Sequence, residues 1–200
     1  MKRHLRGNLL AAIIALIAAG SFAAGLRGDV LYQQMQGASQ VPSQAFTDTP
    51  EFSTYEFDDF VVGDTGWTVT KITVAGSEQG DPTMNTGVKL AISTGGDANL
   101  VTTTYDGVED ATGNLVFDNL NIALDPGATL WITAWVERSY SPGGQWFWST
   151  ANDGRPVGSE EIFDNPSGGF GYGTDPIPGS MVFTTPADLA FTIEGTANPG

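Results

Sequence analysis

Carboxylates and aromatic rings are the side chains of this chain that could do chemistry. Cysteine is absent, and the single histidine, His4, lies in a basic segment at the N-terminus. The chain therefore lacks the usual general base near neutral pH, a thiol nucleophile, and the ligands of haem, iron–sulfur and most zinc or copper sites. A serine nucleophile would lack its histidine base. We expect a protein that is not an enzyme and holds no cofactor other than a structural calcium.

The tryptophans are the strongest candidates for a ligand-binding surface. Trp131 and Trp135 alternate with the aliphatic residues of one predicted strand. Both indoles should therefore lie on the face opposite the core, about 13 Å apart. Trp146 and Trp148 share a face of the next strand, and Tyr140 lies in the connecting hairpin. Indoles stack on the C–H faces of sugar rings, so these five residues could bind a glycan.

The same aromatic residues also have a structural explanation. Large aromatic side chains are mostly buried in proteins, and Trp146 and Trp148 fit the core of their strand. The glycine-rich stretch 158–179 is expected to form a surface loop packed by its own aromatics, and it must cover part of the sheet. The sequence leaves both interpretations open.

Acidic residues in turns are the candidates for a metal site. Asp106, Glu109 and Asp110 fall in one short segment, and calcium prefers hard oxygen ligands that converge from loops. The segment has neither EF-hand spacing nor a Gly/Asp repeat, so the calcium prediction rests on ligand type alone. The alternative is that these groups, like the pairs Asp58-Asp59 and Glu160-Glu161, are solvated turn residues.

A small hydrolase is a further alternative. A glycosidase needs only two carboxylates across a cleft, and Glu137, Glu160 and Glu161 are candidates by residue type. No spacing identifies such a pair.

Short runs of β-branched and aromatic residues, separated by Gly, Pro, Asn and Asp, predict the elements that position these groups. The runs Val88–Ile92, Leu130–Val136 and Leu189–Ile193 alternate with a period of two, which buries one face of a strand. Further candidate strands are Val30–Met35, Phe57–Val62, Gln145–Ser149 and Met181–Phe183. Two other runs, Trp67–Val74 and Leu115–Leu124, change hydrophobic phase midway, as at a β-bulge or corner. We predict an all-β fold, an antiparallel two-sheet β-sandwich of jelly-roll type.

The first 23 residues have the pattern of a signal peptide. Basic residues precede the apolar run Leu9–Ala19, and small residues follow up to Ala23. The apolar run is shorter than the about 20 residues that cross a bilayer comfortably. We expect cleavage after Ala23 rather than a membrane anchor, and one secreted domain over 24–200 with its core at about 28–196.

The charge favours a neutral partner. Loss of the leader removes three of the eight basic residues and leaves 23 acidic ones, so the net charge changes from −15 to −18. Such a surface repels nucleic acid and anionic lipid. A neutral glycan is compatible with it.

Five segments, in their order along the chain, resemble a poorly characterised group of secreted bacterial sandwich proteins that often have a sorting or anchoring tail at the C-terminus. The resemblance implies an extracellular jelly-roll-like domain and no established activity. We expect this chain to depart from the group by lacking such a tail, because Gly195–Gly200 carries no apolar run. The segments are Phe57–Val62, Gly66–Gly76, Gly143–Thr150, Asn165–Gly171 and Asp188–Gly195.

Two functions follow as hypotheses. The first is a secreted, non-catalytic module that binds a neutral polysaccharide or an extracellular matrix component. The alternative is a self-associating subunit of a filament or matrix, in which Gly28–Gln34 adds as a strand to the open sheet edge of a neighbour. The polar stretch Gln36–Thr49, which separates that run from the next predicted strand, motivates the alternative.

Overall fold

A computed structural model describes residues 28–152, 157–184 and 186–200 of the chain. The predicted leader, residues 1–23, lies outside the described residues. No helix in the described ranges has the length and apolar character needed to cross a membrane. The elements in chain order are β1 (Asp29–Gln33), β2 (Gln36–Pro42), β3 (Gln44–Phe46), β4 (Tyr55–Val61), β5 (Trp67–Val74), β6 (Gly76–Gly80), β7 (Gly87–Ser93), β8 (Tyr105–Asp106), β9 (Val108–Glu109), β10 (Leu115–Phe117), β11 (Ile122–Leu124), β12 (Thr129–Arg138), β13 (Gly144–Ala151), β14 (Ile162–Asp164), β15 (Ile177–Pro178), α1 (Ser180–Phe183) and β16 (Phe191–Ala197).

These strands form three sheets in the described part of the chain. The first has the order β1-β16-β5-β10-β9, and β11 also pairs with β5. The second has the order β15-β14-β4-β12-β7-β8, and β3 lies parallel to β12. The third is β2-β13-β6. Apart from β3, the strands pair antiparallel, which confirms the predicted all-β antiparallel sandwich and adds a small third sheet to it.

The core lies where apolar faces of all three sheets meet. Ile132, Ala134 and Val136 of β12 are fully buried there, as their alternation predicts. Burying one such aliphatic or aromatic side chain contributes roughly 1.5–3 kcal/mol to stability, so this interior holds the fold without a disulfide. The other sheets contribute, among others, Val41, Ile72, Leu115, Phe117, Trp146, Trp148, Phe191 and Ile193.

Both predicted changes of hydrophobic phase coincide with irregular pairing. The register between β5 and β16 skips Thr70, so that Val69 and Lys71 face consecutive residues of β16. Between Leu115 and Leu124 the chain leaves β5 at the end of β10 and rejoins it as β11. A side chain on either side of such an irregularity changes face, and this explains the shift of the apolar pattern.

Two local predictions are wrong. Met181–Phe183 is not a strand but lies in α1, which ends at Thr184 in a left-handed conformation, and Met181 is largely exposed. The polar stretch Gln36–Thr49 is not a separating loop, because it contains β2 and β3. Pairing with β13 and β12 holds these two strands, so their side chains need not show an apolar alternation.

Candidate functional site

Trp146 and Trp148 are core residues, contrary to the exposure expected of a binding platform. Both side chains are fully buried. The Nε1 atom of Trp146 donates to the Gly113 carbonyl oxygen at 2.7 Å, and Nε1 of Trp148 donates to the Ala190 carbonyl oxygen at 3.0 Å. Each indole thus has its polar atom satisfied inside the protein. Neither can stack on a ligand in this fold.

Trp131 and Trp135 lie on the outward face of β12, as predicted, but that face is covered. Trp135 is 7% exposed and packs edge-on against Tyr55, with ring centroids 5.2 Å apart. Trp135 and residues of the segment 98–104 line a common pocket of about 230 Å³. Trp131 is half-buried and lies close to Gly96. The predicted exposure is therefore wrong for Trp135, for which the alternative of structural packing holds, and reduced for Trp131, because the Tyr55 ring packs on Trp135 and Gly96 lies against Trp131.

An open cleft with aromatic walls lies elsewhere on the molecule. Its volume is about 360 Å³, and its described lining side chains carry no charge. Tyr140 is 57% exposed, Phe170 44% and Phe52 37%, whereas Phe46 is buried behind them. Of the five predicted ligand-binding residues, Tyr140 is the one that this cleft contains. The lining residues are Phe46, Thr49, Phe52, Tyr140, Gln145 and Phe170.

The position of Tyr140 is fixed by its backbone and by a neighbouring ring. Asp48 accepts hydrogen bonds from the backbone N–H groups of Tyr140 and Ser141, at 2.8 and 3.2 Å. These bonds hold the pKa of the Asp48 carboxyl below its ordinary value. The ring of Phe46 meets Tyr140 edge-on at a centroid distance of 5.8 Å. The hairpin tip between β12 and β13 is thus tied to the segment after β3.

The opposite wall of the cleft is held by the glycine-rich loop. Asn165 donates through Nδ2 to the carbonyl oxygens of Glu51 and Ser53, at 2.9 and 2.7 Å. This ties the loop to the 3₁₀ turn that contains Phe52. The ring of Phe170 then meets Phe52 at 5.3 Å and the buried Phe163 at 6.1 Å. The stretch 158–179 is packed by its own aromatics, as predicted, but it is not only a surface loop, because it contains β14 and β15 of the second sheet.

This arrangement suits binding rather than acid–base chemistry. Three partly exposed rings are preorganised on hydrogen-bonded segments, and the Thr49 hydroxyl and Gln145 amide are the polar side chains on the wall. A mostly apolar concave site with a few polar groups is the usual form of a small-molecule site. The described lining residues include no carboxylate that could transfer a proton.

The three predicted calcium ligands do not converge. Asp106 pairs with Lys89 across β7 and β8, at 2.6 Å. Asp110 accepts from the backbone N–H and hydroxyl of Thr112, at 2.8 and 2.6 Å, and closes its own turn. Glu109 accepts from Nδ2 of Asn85 at 2.8 Å. Within the described residues no group of three carboxylates is placed to hold a metal ion.

Glu109 belongs instead to a cluster around a fully buried arginine. Nη2 of Arg138 contacts Oε1 of Glu78 at 2.7 Å, and its Nη1 donates to the Asp81 carbonyl oxygen and to Oδ1 of Asn85, both at 3.2 Å. Burial, together with the neighbouring carboxylate of Glu78, raises the pKa of Glu109 to about 7. One cation thus stands beside two acids.

Several acidic residues of β4 are buried, contrary to the prediction that they are solvated. Asp58 accepts at Oδ2 from the backbone N–H of Leu189 at 2.7 Å and from the Gln34 amide at 3.2 Å. Asp59 accepts from the backbone N–H of Ser159 at 2.7 Å. These carboxylates lie on a strand, not in a turn, and they bind the loops that return to it. Burial raises the pKa of both.

A second set of buried acids lies around β14. Glu161 accepts at Oε2 from the Ala187 N–H at 2.9 Å, and Asp164 accepts from the Ala98 N–H at 2.7 Å. Glu56 is fully buried, and neither of its carboxyl oxygens has a hydrogen-bond partner among the described residues. Burial raises the pKa of Glu56 well above its ordinary value, and Glu161 and Asp164 raise it further. We interpret Glu56 as protonated at neutral pH.

The candidates for a hydrolase are not brought together. Glu161 lies on the wall of a second cleft, of about 500 Å³, between the β2–β13 pair and α1. Glu160 accepts from the Ser180 N–H at 3.0 Å, and Glu137 lies beside Gly87 at the far end of β12. Glu161 is the one carboxylate among the described lining residues of that cleft.

Sequence reasoning missed Phe46, Phe52 and Phe170. The three rings are separated by up to 124 positions in the sequence, and none shows a periodic pattern. The one available signal was the aromatic content of the glycine-rich loop, which indicated packing but not a partner. The cleft exists because that loop and the β12–β13 hairpin are both tied to residues 46–53.

The chain matches no protein-family model and no curated protein sequence. The resemblance to secreted bacterial sandwich proteins therefore stays a prediction, and the geometry of the chain is what supports a function.

Proposed function

We propose that the protein is a secreted, non-catalytic module that binds a neutral polysaccharide in the aromatic cleft. The observation that carries this proposal is an uncharged cleft of about 360 Å³ with three partly exposed rings. The contact residues proposed are Tyr140, Phe52 and Phe170, in place of the buried tryptophans. Secretion rests on the leader pattern in the first 23 residues.

The chemistry of the walls fits a sugar better than a charged ligand. Flat rings complement the C–H faces of a pyranose, while Thr49 and Gln145 offer a hydroxyl and an amide for its hydroxyl groups. A net charge of −15 disfavours anionic polymers. The volume of the cleft lies in the range of about 300–1,000 Å³ that is usual for small-ligand sites. The cleft can therefore hold a short stretch of a polysaccharide.

Calorimetric titration with neutral plant, algal and bacterial polysaccharides tests the proposal. A ring that covers about 50 Å² of sugar contributes roughly 1.3 kcal/mol, so Tyr140→Ala and Phe170→Ala should each weaken binding about tenfold. Tyr172→Ala is the matched control, because Tyr172 is comparably exposed but is not a lining residue of the cleft.

Thermal unfolding of each variant distinguishes the loss of a ligand contact, which leaves the unfolding temperature unchanged, from a loss of folded structure, which lowers it. The proposal fails if no neutral polysaccharide binds the wild-type protein. It also fails if Tyr172→Ala weakens binding as much as the two cleft variants do.

Strand exchange by Gly28–Gln34 is the alternative that the sequence raised. In the structure β1 pairs with β16 of the same chain, and the Gln34 N–H donates to the Phe191 carbonyl oxygen at 2.9 Å. Exchange would require these bonds to break. Size-exclusion chromatography with light scattering decides the question, since a permanent monomer excludes a self-assembling subunit.

A further inference from the structure

The amide of Gln145 is a polar group of the aromatic cleft that the fold leaves free. Gln145 is half-buried on β13 and is one of the residues that line the cleft. Within the described part of the chain its side chain makes no hydrogen bond. Neither of its amide atoms is among the buried polar atoms that lack a partner. Both Oε1 and Nε2 are therefore accessible from outside, in a residue that forms the wall of the cleft.

A neighbouring glutamine shows that the fold does not need this amide. Gln44 is fully buried, and its Nε2 donates to the Gly144 carbonyl oxygen at 3.1 Å, while its Oε1 accepts from the Trp146 N–H at 2.8 Å. These bonds hold the residues directly before and after Gln145, whose own backbone pairs with Gln79 of β6. The backbone of Gln145 is thus fixed without its side chain, which stays available for a ligand.

The amide can do what the hydroxyl groups of the cleft cannot. The Thr49 hydroxyl also has no hydrogen bond within the described residues and is accessible. In Thr49 and Tyr140, however, donor and acceptor are the same oxygen, whereas an amide carries them on two atoms. Gln145 can therefore accept from one hydroxyl at Oε1 and donate to a second at Nε2. Two hydroxyl groups on adjacent carbons of a sugar ring present such a pair.

The aromatic rings of the cleft do not read the pattern of hydroxyl groups. Phe52, Phe170 and Tyr140 can stack on the C–H face that most pyranoses share, so they supply affinity with little selectivity. A sugar with blocked hydroxyl groups would still stack, but it would cover the amide of Gln145 without bonding to it. A polar group left unpaired in a binding site costs more than a missing contact, and such a site rejects the analogue that lacks the partner.

We propose that Gln145 is the specificity-determining residue of the aromatic cleft, and that the cleft takes neutral sugars with free hydroxyl groups on two adjacent ring carbons. This inference rests on the proposed function, because it names the part of the sugar that the cleft recognises. Chains in which these hydroxyl groups are etherified or esterified bind weakly.

Calorimetric titration with cellohexaose, maltohexaose, xylohexaose and mannohexaose, each beside its fully O-methylated form, tests the inference. All four have adjacent free hydroxyl groups on every internal ring. We expect the wild-type protein to bind at least one of them, and to bind its methylated form at least tenfold more weakly.

Variants of the amide then show whether Gln145 is the cause. Gln145→Leu should weaken binding of the free hexaose about tenfold and reduce the preference over the methylated form to within about threefold. Gln145→Glu keeps the shape and the acceptor but loses the donor, so it should also weaken binding. Gln79→Leu is the matched control, because Gln79 is the exposed partner of Gln145 on β6 and is not a lining residue of the cleft. It should leave the affinity within twofold.

The outcomes separate this inference from the proposed function. If Tyr140→Ala weakens binding tenfold while Gln145→Leu keeps both the affinity and the preference of the wild-type protein, the cleft binds sugars but Gln145 does not determine its specificity. Equal binding of a free hexaose and its methylated form by the wild-type protein also overturns the inference. If none of the four hexaoses binds but another neutral polysaccharide does, the inference fails and the proposed function stands. Absence of all binding ends both.

Discussion

Carboxylates that are buried or half-buried occur in two regions of this protein, and the regions stabilise them in different ways. At the end of β12, Glu78 and Glu109 are grouped around the cation of Arg138. Asp58 on β4 and Glu161, which directly precedes β14, instead accept hydrogen bonds from backbone N–H groups of returning loops. An acid can be buried beside a cation, or beside N–H donors with a raised pKa. The two solutions predict different responses to mutation and to pH.

The largest effect is expected from Arg138→Met, which removes the cation of the first region. Glu78, whose side chain is 14% exposed, would lose its partner, the fully buried Arg138 guanidinium, and breaking such a pair costs up to about 3–5 kcal/mol. Urea unfolding at neutral pH measures the loss. A change below about 1 kcal/mol would contradict the view that Arg138 compensates the buried acids.

A smaller effect is expected from Asp58→Ala in the second region. The variant leaves the buried Leu189 N–H without its acceptor, which costs roughly 1–3 kcal/mol, while the Gln34 amide keeps the Tyr32 hydroxyl as a partner. Asp58→Asn keeps an oxygen at the same place and is the matched control. If the two variants lose equal stability in urea unfolding, hydrogen bonding to the loops is not the role of Asp58.

Each region contains a carboxyl group that should make the stability of the protein depend on pH. Glu109 and Glu161 have pKa values raised to about 7 from an ordinary 4.5. The folded state therefore binds more protons than the unfolded state between these values. Their contribution to stability is complete below about pH 4.5 and is lost as the pH rises through about 7.

Glu109→Gln and Glu161→Gln should each flatten this dependence. Neither variant should differ much from the wild-type protein at pH 5, and each should be more stable at pH 8, by about 1 kcal/mol for the partly exposed Glu109 after allowance for solvent screening. Thermal unfolding across this pH range is the measurement. A wild-type protein that gains stability between pH 5 and pH 8 would show that these carboxyls are ionised in both states.

The smallest effect is expected from Glu56→Gln. A protonated Glu56 and a glutamine have nearly the same shape and charge, so the free energy of unfolding should change by less than about 0.5 kcal/mol at neutral pH. A loss well above 1 kcal/mol in urea unfolding would indicate that Glu56 is ionised and has a partner.

The strands with alternating side chains could be predicted from sequence because burial of one face imposes a period of two. β7, β12 and β16 are examples, and even the bulge at Thr70 was visible as a change of phase. β2 and β3 could not be predicted in this way. Their residues are held by backbone pairing with β13 and β12. Backbone hydrogen bonds of this kind do not require any particular pattern of apolar and polar side chains, so the sequence gives no signal for them.

The candidate sites were less accessible to sequence reasoning. Alternation correctly placed Trp135 on the outer face of β12, but it could not show that the ring of Tyr55 packs against it there. Tyr140 was identified, whereas Phe52 and Phe170 come from segments more than 100 residues apart. Glu161 was recognised as an acid, but its burial depends on Ala187 and Gly179, which only the folded chain brings to it.

The enclosure of the indoles has a practical consequence for spectroscopy. Trp67, Trp135, Trp146 and Trp148 are all shielded from water, so native emission should be blue-shifted and weakly quenched by iodide apart from the contribution of the half-buried Trp131. Unfolding should then give a large red shift. Ligands that occupy either cleft should leave the emission nearly unchanged, because none of these fluorophores lines those clefts.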